Sequence, residues 1–329
     1  MEDKTFKTLD DQINILKSRN MRFRDEEQAK FVLINNSYYG IINSYKELFS
    51  KDMANDYHNQ LFEDILEDTL LLCDFDKNLA AILYKYMMMI ETTFKSSLSY
   101  YIALELGAEQ DAYLSKHNYS NGYRVQIGRY KGVFSIEKTF DKITKKINDN
   151  RISSIQHFQE QHGNVPPWIV APTLSLGVVY EWYRLCKPPI KTNTVNVFLY
   201  PDRPDELKKE LFLQAMKVVH LYRNIAAHGS RLLIHEIPQS ARLKERLVGK
   251  YTTSCLFSQS YIYDRTFRIF ALFTSICLLL SNRSNTKTNF ISEIGYLFHQ
   301  LEMENKEIYQ RLLYRTFLPK NFIELLREI

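Results

Sequence analysis

From Asp76 to Leu106 the chain reads DKNLAAILYKYMMMIETTFKSSLSYYIALEL, with neither Pro nor Gly, and Gly107 follows directly. A periodic stretch this long without a backbone breaker predicts a helix closed by a glycine C-cap, the longest in the protein. The wider composition agrees. Ten Gly and nine Pro in 329 residues are too few turn-formers for a β-sandwich, a collagen-like chain or a disordered tail. An all-α fold is expected. Phe and Tyr number 20 and 22, a load that suits thick helix packing and, secondarily, stacking against bases.

Around this helix the remaining elements can be placed in order. Leu9, Ile13 and Leu16 recur behind Thr8, an N-cap candidate, and predict a short amphipathic helix. A second helix is expected from the acidic run Asp25, Glu26, Glu27 through Phe31, Val32 and the Tyr38–Tyr39 pair. Residues from about 107 to 167 form a polar insert containing several glycines. WIVAPTLSLGVVYEWYRL then reads as a helical arm interrupted at Pro172, and a further helix follows Pro201 and Pro204 and stops at Gly229. The aromatic-rich YYIALELG and YEWYRL stretches are expected in the core. The division is an N-terminal helical region (1–75), a helical core (76–282) holding the insert, and a C-terminal helical extension (283–329).

The formal charge is +5. Between Arg124 and Arg151 eight basic residues face three acidic ones, so the insert alone can supply that surplus. Two readings stand: a solvated helix face flanked by loops, or a phosphate-contacting strip in which Tyr123 and Tyr130 interleave with Arg124, Arg129, Lys131, Lys142, Lys145 and Lys146. Cys73, Cys186, Cys255 and Cys277 stand far apart without a C-x-x-C pair, so no zinc ribbon or disulfide framework is indicated, and a reducing cytoplasm fits. The opening MEDKTFKTLDDQ is charged and lacks the apolar segment of a secretory signal. The longest apolar run, Ile269 to Leu280, is too short to span a bilayer and predicts a buried helix.

The stretch that carries chemistry is Arg223-Asn224-Ile225-Ala226-Ala227-His228-Gly229, an R-N-x-x-x-H pattern at a helix end. With Arg223 as origin and about 100° per residue, Asn224, His228, His220, Lys217 and Lys209 share one polar face. Val219, Tyr222 and Ala226 lie on the opposite side, toward the core. A cation beside an imidazole is what phosphodiester chemistry needs: His moves a proton near neutral pH, and Arg holds a non-bridging phosphate oxygen. With RNA the 2′-OH is the nucleophile, so neither a metal nor a cofactor is called for. The spacing alone is weak evidence, since 18 Arg and 8 His give an R-x4-H pair by chance about 0.4 times. Arg151 and His157 form a comparable pair without the Asn or the apolar face. Glu91 and Lys95 add a second motif, E-x3-K, as neighbours one turn apart in the long helix.

With R-N-x-x-x-H and E-x3-K together, the chain resembles the HEPN superfamily of helical ribonucleases, and more narrowly the Abi (abortive infection) family of the AbiD/AbiF type. The narrower resemblance covers most of the chain: FKTLDDQINILKSRN, DEEQAKFVLINNSYYGIINSY, IETTFKSSLSYYIA, PPWIVAPTLSLGVVYEWY and LYRNIAAHGSRL. Gly40 stands where Arg usually follows the paired tyrosines, Lys95 where Arg is frequent, and Leu232 to Ile234 where polar residues are common.

The resemblance implies a HEPN-type helical bundle and a metal-independent endoribonuclease of an anti-phage abortive-infection or toxin–antitoxin system, associated with a structured non-coding RNA. On it, Arg223 and His228 match the catalytic pair, Asn224 the supporting polar position, and Glu91 and Lys95 the second motif. His220 is a supporting candidate, and Lys217 and Arg231 join the basic residues of the insert as RNA contacts. Because in-line cleavage needs both a base and an acid, a homodimer is expected; no membrane partner is. Plainer readings remain beside these. Arg223 could only stitch two helices through Glu91, and His228 could only face the helix dipole. The whole chain could be a catalytically silent RNA-binding module or a phage-sensing interaction module.

Overall fold

The computed structural model describes residues 5–43, 45, 66–149, 151–199, 205–229, 231–233, 235–249 and 268–329. Helices account for its regular structure, and Arg124 and Phe134 form an isolated antiparallel bridge. Helix α1 (Leu9–Ser18) begins as its sequence requires. The Thr8 hydroxyl accepts from the Asp11 N–H at 3.2 Å, and the Asp11 carboxylate accepts from the Thr8 N–H at 3.0 Å. Helix α2 (Glu26–Asn36) opens on Asp25, whose carboxylate accepts from Glu27 and Gln28. It stops short of the Tyr38–Tyr39 pair. Ser37 takes φ +57°, which no helix can continue through, and Tyr39–Asn43 forms a π-helical turn instead.

Helix α3 (Leu66–Leu106) is the longest element, 41 residues and about 60 Å. It ends at Gly107, φ +95°, where expected, but starts ten residues earlier than Asp76. Asp76 is therefore not at an exposed first turn; it lies inside the helix and is buried. In the insert, α4 (Ser135–Ile147) and α5 (Ser153–His162) follow a short hairpin-like loop in which the Val125 N–H donates to the Val133 carbonyl and the Gly132 N–H donates to the Val125 carbonyl. The interrupted arm resolves into α6 (Pro167–Thr173) and α7 (Leu176–Leu185), parted by extended Leu174, two residues after Pro172. Then come α8 (Pro188–Asn196), α9 (Asp205–Ala227), α10 (Ile269–Leu279), α11 (Ser284–Glu304), α12 (Lys306–Thr316) and α13 (Phe322–Arg327).

Four of these helices, α6, α8, α9 and α11, line α3, while α10 packs on α9 and α4 on α7. Phe94 sits at the centre, its ring 5.7 Å from Tyr183 and 5.4 Å from Phe212. A second aromatic cluster, Phe75, Phe273, Phe298 and Phe322, joins α3 to the C-terminal helices. Every residue of α10 is buried, and among the described residues no helix is long and apolar enough to cross a membrane. Trp182 and Tyr183 are core as expected, but Tyr100 and Leu104 are 60% and 61% exposed. Because α3 is apolar on several faces, hydrophobicity alone could not say which face its neighbours cover. Cys73, Cys186 and Cys277 are buried free thiols; Cys255 and Ile234 lie outside the described residues.

Candidate active site

Two helices far apart in sequence, α3 and α9, meet at one carboxylate. Glu91, on the inner face of α3, is only 2% exposed. One of its oxygens lies 2.7 Å from Lys95 Nζ and the other 3.1 Å from Arg223 Nε on α9. Lys95 also donates to the Pro172 carbonyl at 3.3 Å, which fixes the α6–α7 break against α3. Arg223 Nη1 reaches the Asn224 side-chain oxygen at 3.3 Å. Burying a lone carboxylate is expensive, so the two cations explain why Glu91 is tolerated there. The trio keeps one positive charge in surplus. The bonds made by Arg223 use Nε and Nη1, which leaves its Nη2 edge, in a side chain 27% exposed, for a ligand.

His228 is placed by the end of α9. The helix closes there because Gly229 adopts φ +63°, a left-handed conformation that a Cβ would strain, and the His228 N–H still bonds back to the carbonyls of Asn224 and Ile225. Its side chain is exposed. On the core side Val219 and Tyr222 are fully buried, as the helical pattern predicts. The polar face is less uniform than the pattern implies. Lys217 donates to the Ser240 carbonyl at 2.8 Å, and burial, with Arg184 close by, lowers its pKa. His220 is half-buried one turn before Arg223. Burial first, and the Arg223 charge second, hold its imidazole below the ordinary value, while Glu91 opposes them.

The charges of the insert are largely satisfied among themselves. Arg124 donates to the Gly132 carbonyl and lies 4.6 Å over the Phe134 ring; Arg129 and Lys145 both face Asp141; Lys146 faces Asp149. Lys131 and Lys142 are exposed. The decoy Arg151 is turned onto Asp149 at 2.7 Å. Arg231, partly buried, sits near Asp76.

Three contributors were not singled out from sequence. Gly177 lets α7 approach α9 so closely that a Cβ there would lie 3.0 Å from His220 Cε1. Arg184, inside the aromatic stretch read as core, lies 5.1 Å over the Tyr123 ring, pairs with Glu181 at 3.0 Å and neighbours Lys217, linking the insert to α9. Gly177, Glu181 and Arg184 fall within about 60° of one another around α7, which is the signal that could have exposed them. The third is Asp76.

The profile of the family described as Abi-like protein matches residues 31–233, from within α2 through the segment that follows His228. The chain belongs to the Abi-like protein family. No curated protein and no solved structure matches it. In this Abi-like protein the matched span holds every side chain that meets at Glu91, whereas α10 to α13 lie beyond it.

Proposed function

We propose that this Abi-like protein is a metal-independent endoribonuclease of the HEPN type that acts in abortive infection or as the toxin of a toxin–antitoxin pair. One observation carries the reading: a guanidinium oriented by a buried carboxylate, with a positive surplus, on the same helix as an exposed imidazole five residues on. In this mechanism the substrate 2′-OH attacks the adjacent phosphorus in line. His228 takes the 2′-OH proton or returns one to the departing 5′-oxygen, and Arg223 holds the crowded phosphate charge through its remaining N–H edge. Asn224 orients Arg223, and Lys95 and Glu91 hold its base. The products carry a 2′,3′-cyclic phosphate and a 5′-hydroxyl.

His228 supplies one imidazole per chain, which serves as base or acid but not both at once, so the active species is a two-fold dimer with two copies of His228 in one cleft. Exposed Lys131 and Lys142 and the Tyr123–Arg184 pair are the surfaces we assign to RNA, including a structured non-coding RNA partner. The test is cleavage of RNA in EDTA by wild type and His228→Ala. A loss of roughly 10²–10⁴-fold in the variant is expected, together with complete resistance of a substrate carrying a 2′-deoxy group at the cut site. Equal cleavage by the two proteins rejects the proposal. A single observation favours the silent RNA-gripping module, namely that Arg223 is already tied to Glu91; RNA that co-purifies with a protein that never cuts it would select that reading.

A further inference from the structure

Asp76 has no part in the cleavage scheme, yet it lies beneath the segment that leaves the site. Its side chain is 4% exposed, at the place where three parts of the chain converge. From the N-terminal region the Tyr45 hydroxyl donates to Oδ2 at 2.9 Å. From the loop after His228 the Leu232 N–H donates to the same oxygen at 3.3 Å, with the Leu233 N–H contributing alongside. Oδ1 is buried without a hydrogen-bond partner. The loop's own side chains, Leu232 and Leu233, are fully buried and form the cover over the carboxyl group. A buried carboxylate with one oxygen unsatisfied is an unfavourable ion, and lifting the Leu232–Leu233 backbone is the local motion that would hydrate it.

We propose that Asp76 is a proton-linked positioning residue for the loop that follows His228, which closes firmly over the neutral acid and is loosened when the acid ionises. Gly229, left-handed at the start of this loop, is the pivot, so loosening it frees the segment that carries Arg231 and that begins one residue after His228. Burial outweighs the three hydrogen bonds and the nearby Arg231, and pushes the Asp76 carboxyl up to about 6. The other groups facing it do not change charge in that range. Tyr45, Tyr222 and Cys73 are all pushed upward by burial and stay neutral, and Arg231 is a permanent cation. His235, whose ring lies 5.4 Å from that of Tyr222, is held below its ordinary value by burial, with Glu236 opposing, and Glu236 and Arg268 also act on Tyr222.

Linkage fixes the direction. A carboxyl whose pKa is higher in the closed state than in the open one favours closure at low pH, so opening becomes easier as the pH rises. The experiment is amide hydrogen exchange of the Leu232 and Leu233 N–H groups in the full chain at pH 5 and pH 7.5, each corrected for its intrinsic exchange rate. Wild type should open about tenfold more readily at pH 7.5, while Asp76→Asn should be equally protected at both. Should the Asn variant fail to fold, Tyr45→Phe, which removes a donor from the carboxylate, should move the wild-type transition to higher pH. Equal protection of wild type at the two pH values overturns the proposal, as does greater protection at pH 7.5 or a pH response that survives in Asp76→Asn, which would assign it to His235. Only the consequence for cleavage rests on the ribonuclease reading; the exchange result stands or falls whether or not RNA is cut.

Discussion

Replacing Glu91 by Gln keeps the shape of the side chain and removes the charge at the centre of the site. Lys95 and Arg223 then face each other across a neutral amide, with side chains 13% and 27% exposed. Removing one partner of a buried ion pair costs about 3–5 kcal/mol; because Lys95 keeps the Pro172 carbonyl and both cations reach some solvent, about 2–3 kcal/mol is expected here. With a urea slope of about 3 kcal/mol/M, the unfolding midpoint should fall by roughly 0.8 M with the slope unchanged. Adding Lys95→Met removes one of the stranded cations, so the double variant should lose less than the sum of the two singles, with a coupling of about 0.5–3 kcal/mol. Cleavage of RNA by Glu91→Gln should drop at least tenfold, since the guanidinium loses its orienting partner. A midpoint within roughly 0.2 M of wild type, or strict additivity with Lys95→Met, would refute the view that the two cations share one buried charge.

Two further substitutions probe the neighbours of that charge. Gly177→Ala places a Cβ 3.0 Å from Cε1 and 3.3 Å from Nε2 of His220, at a backbone conformation that any residue can adopt, so the cost is steric alone. It should destabilise by about 1–3 kcal/mol in urea and shift the His220 ring resonances, and unchanged resonances would contradict the close approach of α7 to α9. Asp76→Asn should flatten the pH dependence of stability: in wild type the folded state binds the extra proton between about pH 4 and pH 6, so stability declines across that window and levels off above it, by up to roughly 3 kcal/mol. Parallel wild-type and variant profiles in thermal melts from pH 4 to pH 8 would show that Asp76 is not the group responsible.

The local rules written into the sequence read well wherever a residue's partners lie within a turn or two. Thr8 and Asp25 cap the helices they precede, Gly107 and Gly229 end theirs, and the Arg223 face of α9 separates from the Val219–Tyr222 face. The reading failed where the deciding partner is distant. Asp76 looks like a helix-opening acid, yet it is a mid-helix residue whose donors come from Tyr45 and from a backbone 156 positions downstream. The end of α2 was misplaced because Ser37 adopts a left-handed conformation that a sequence rich in helix formers gives no reason to expect. Arg184 was hidden by its aromatic neighbours, since a basic residue on the rim of a packed helix carries the same local signature as one in open solvent. The sequence offers the pairing of Arg223 with Glu91 as a plain structural alternative, and Glu91–Lys95 as a motif that positions Arg223 or His228. In the structure, bracing and presentation are the same contact, because the nitrogen that binds Glu91 is not the edge left for a ligand.

That geometry also constrains how the activity proposed here must depend on chain number. Arg223 is oriented before any ligand arrives, so binding need not order it, and the missing component is a second proton-transfer group rather than a second guanidinium. If the base and the acid are the two copies of His228 in a dimer, a mixed dimer of wild type and His228→Ala holds one imidazole and should cut no faster than the variant alone. Unfolding and refolding an equal mixture distributes chains at random, leaving about a quarter of the dimers fully wild type, so activity should fall to about 25% of an equal total concentration of wild type. Chains that each work alone would retain about half. A value near one half, from a mixture shown to have exchanged subunits, would locate both proton transfers within one chain. His220, already beside Arg223 with its pKa lowered by burial, would then be the group to substitute next.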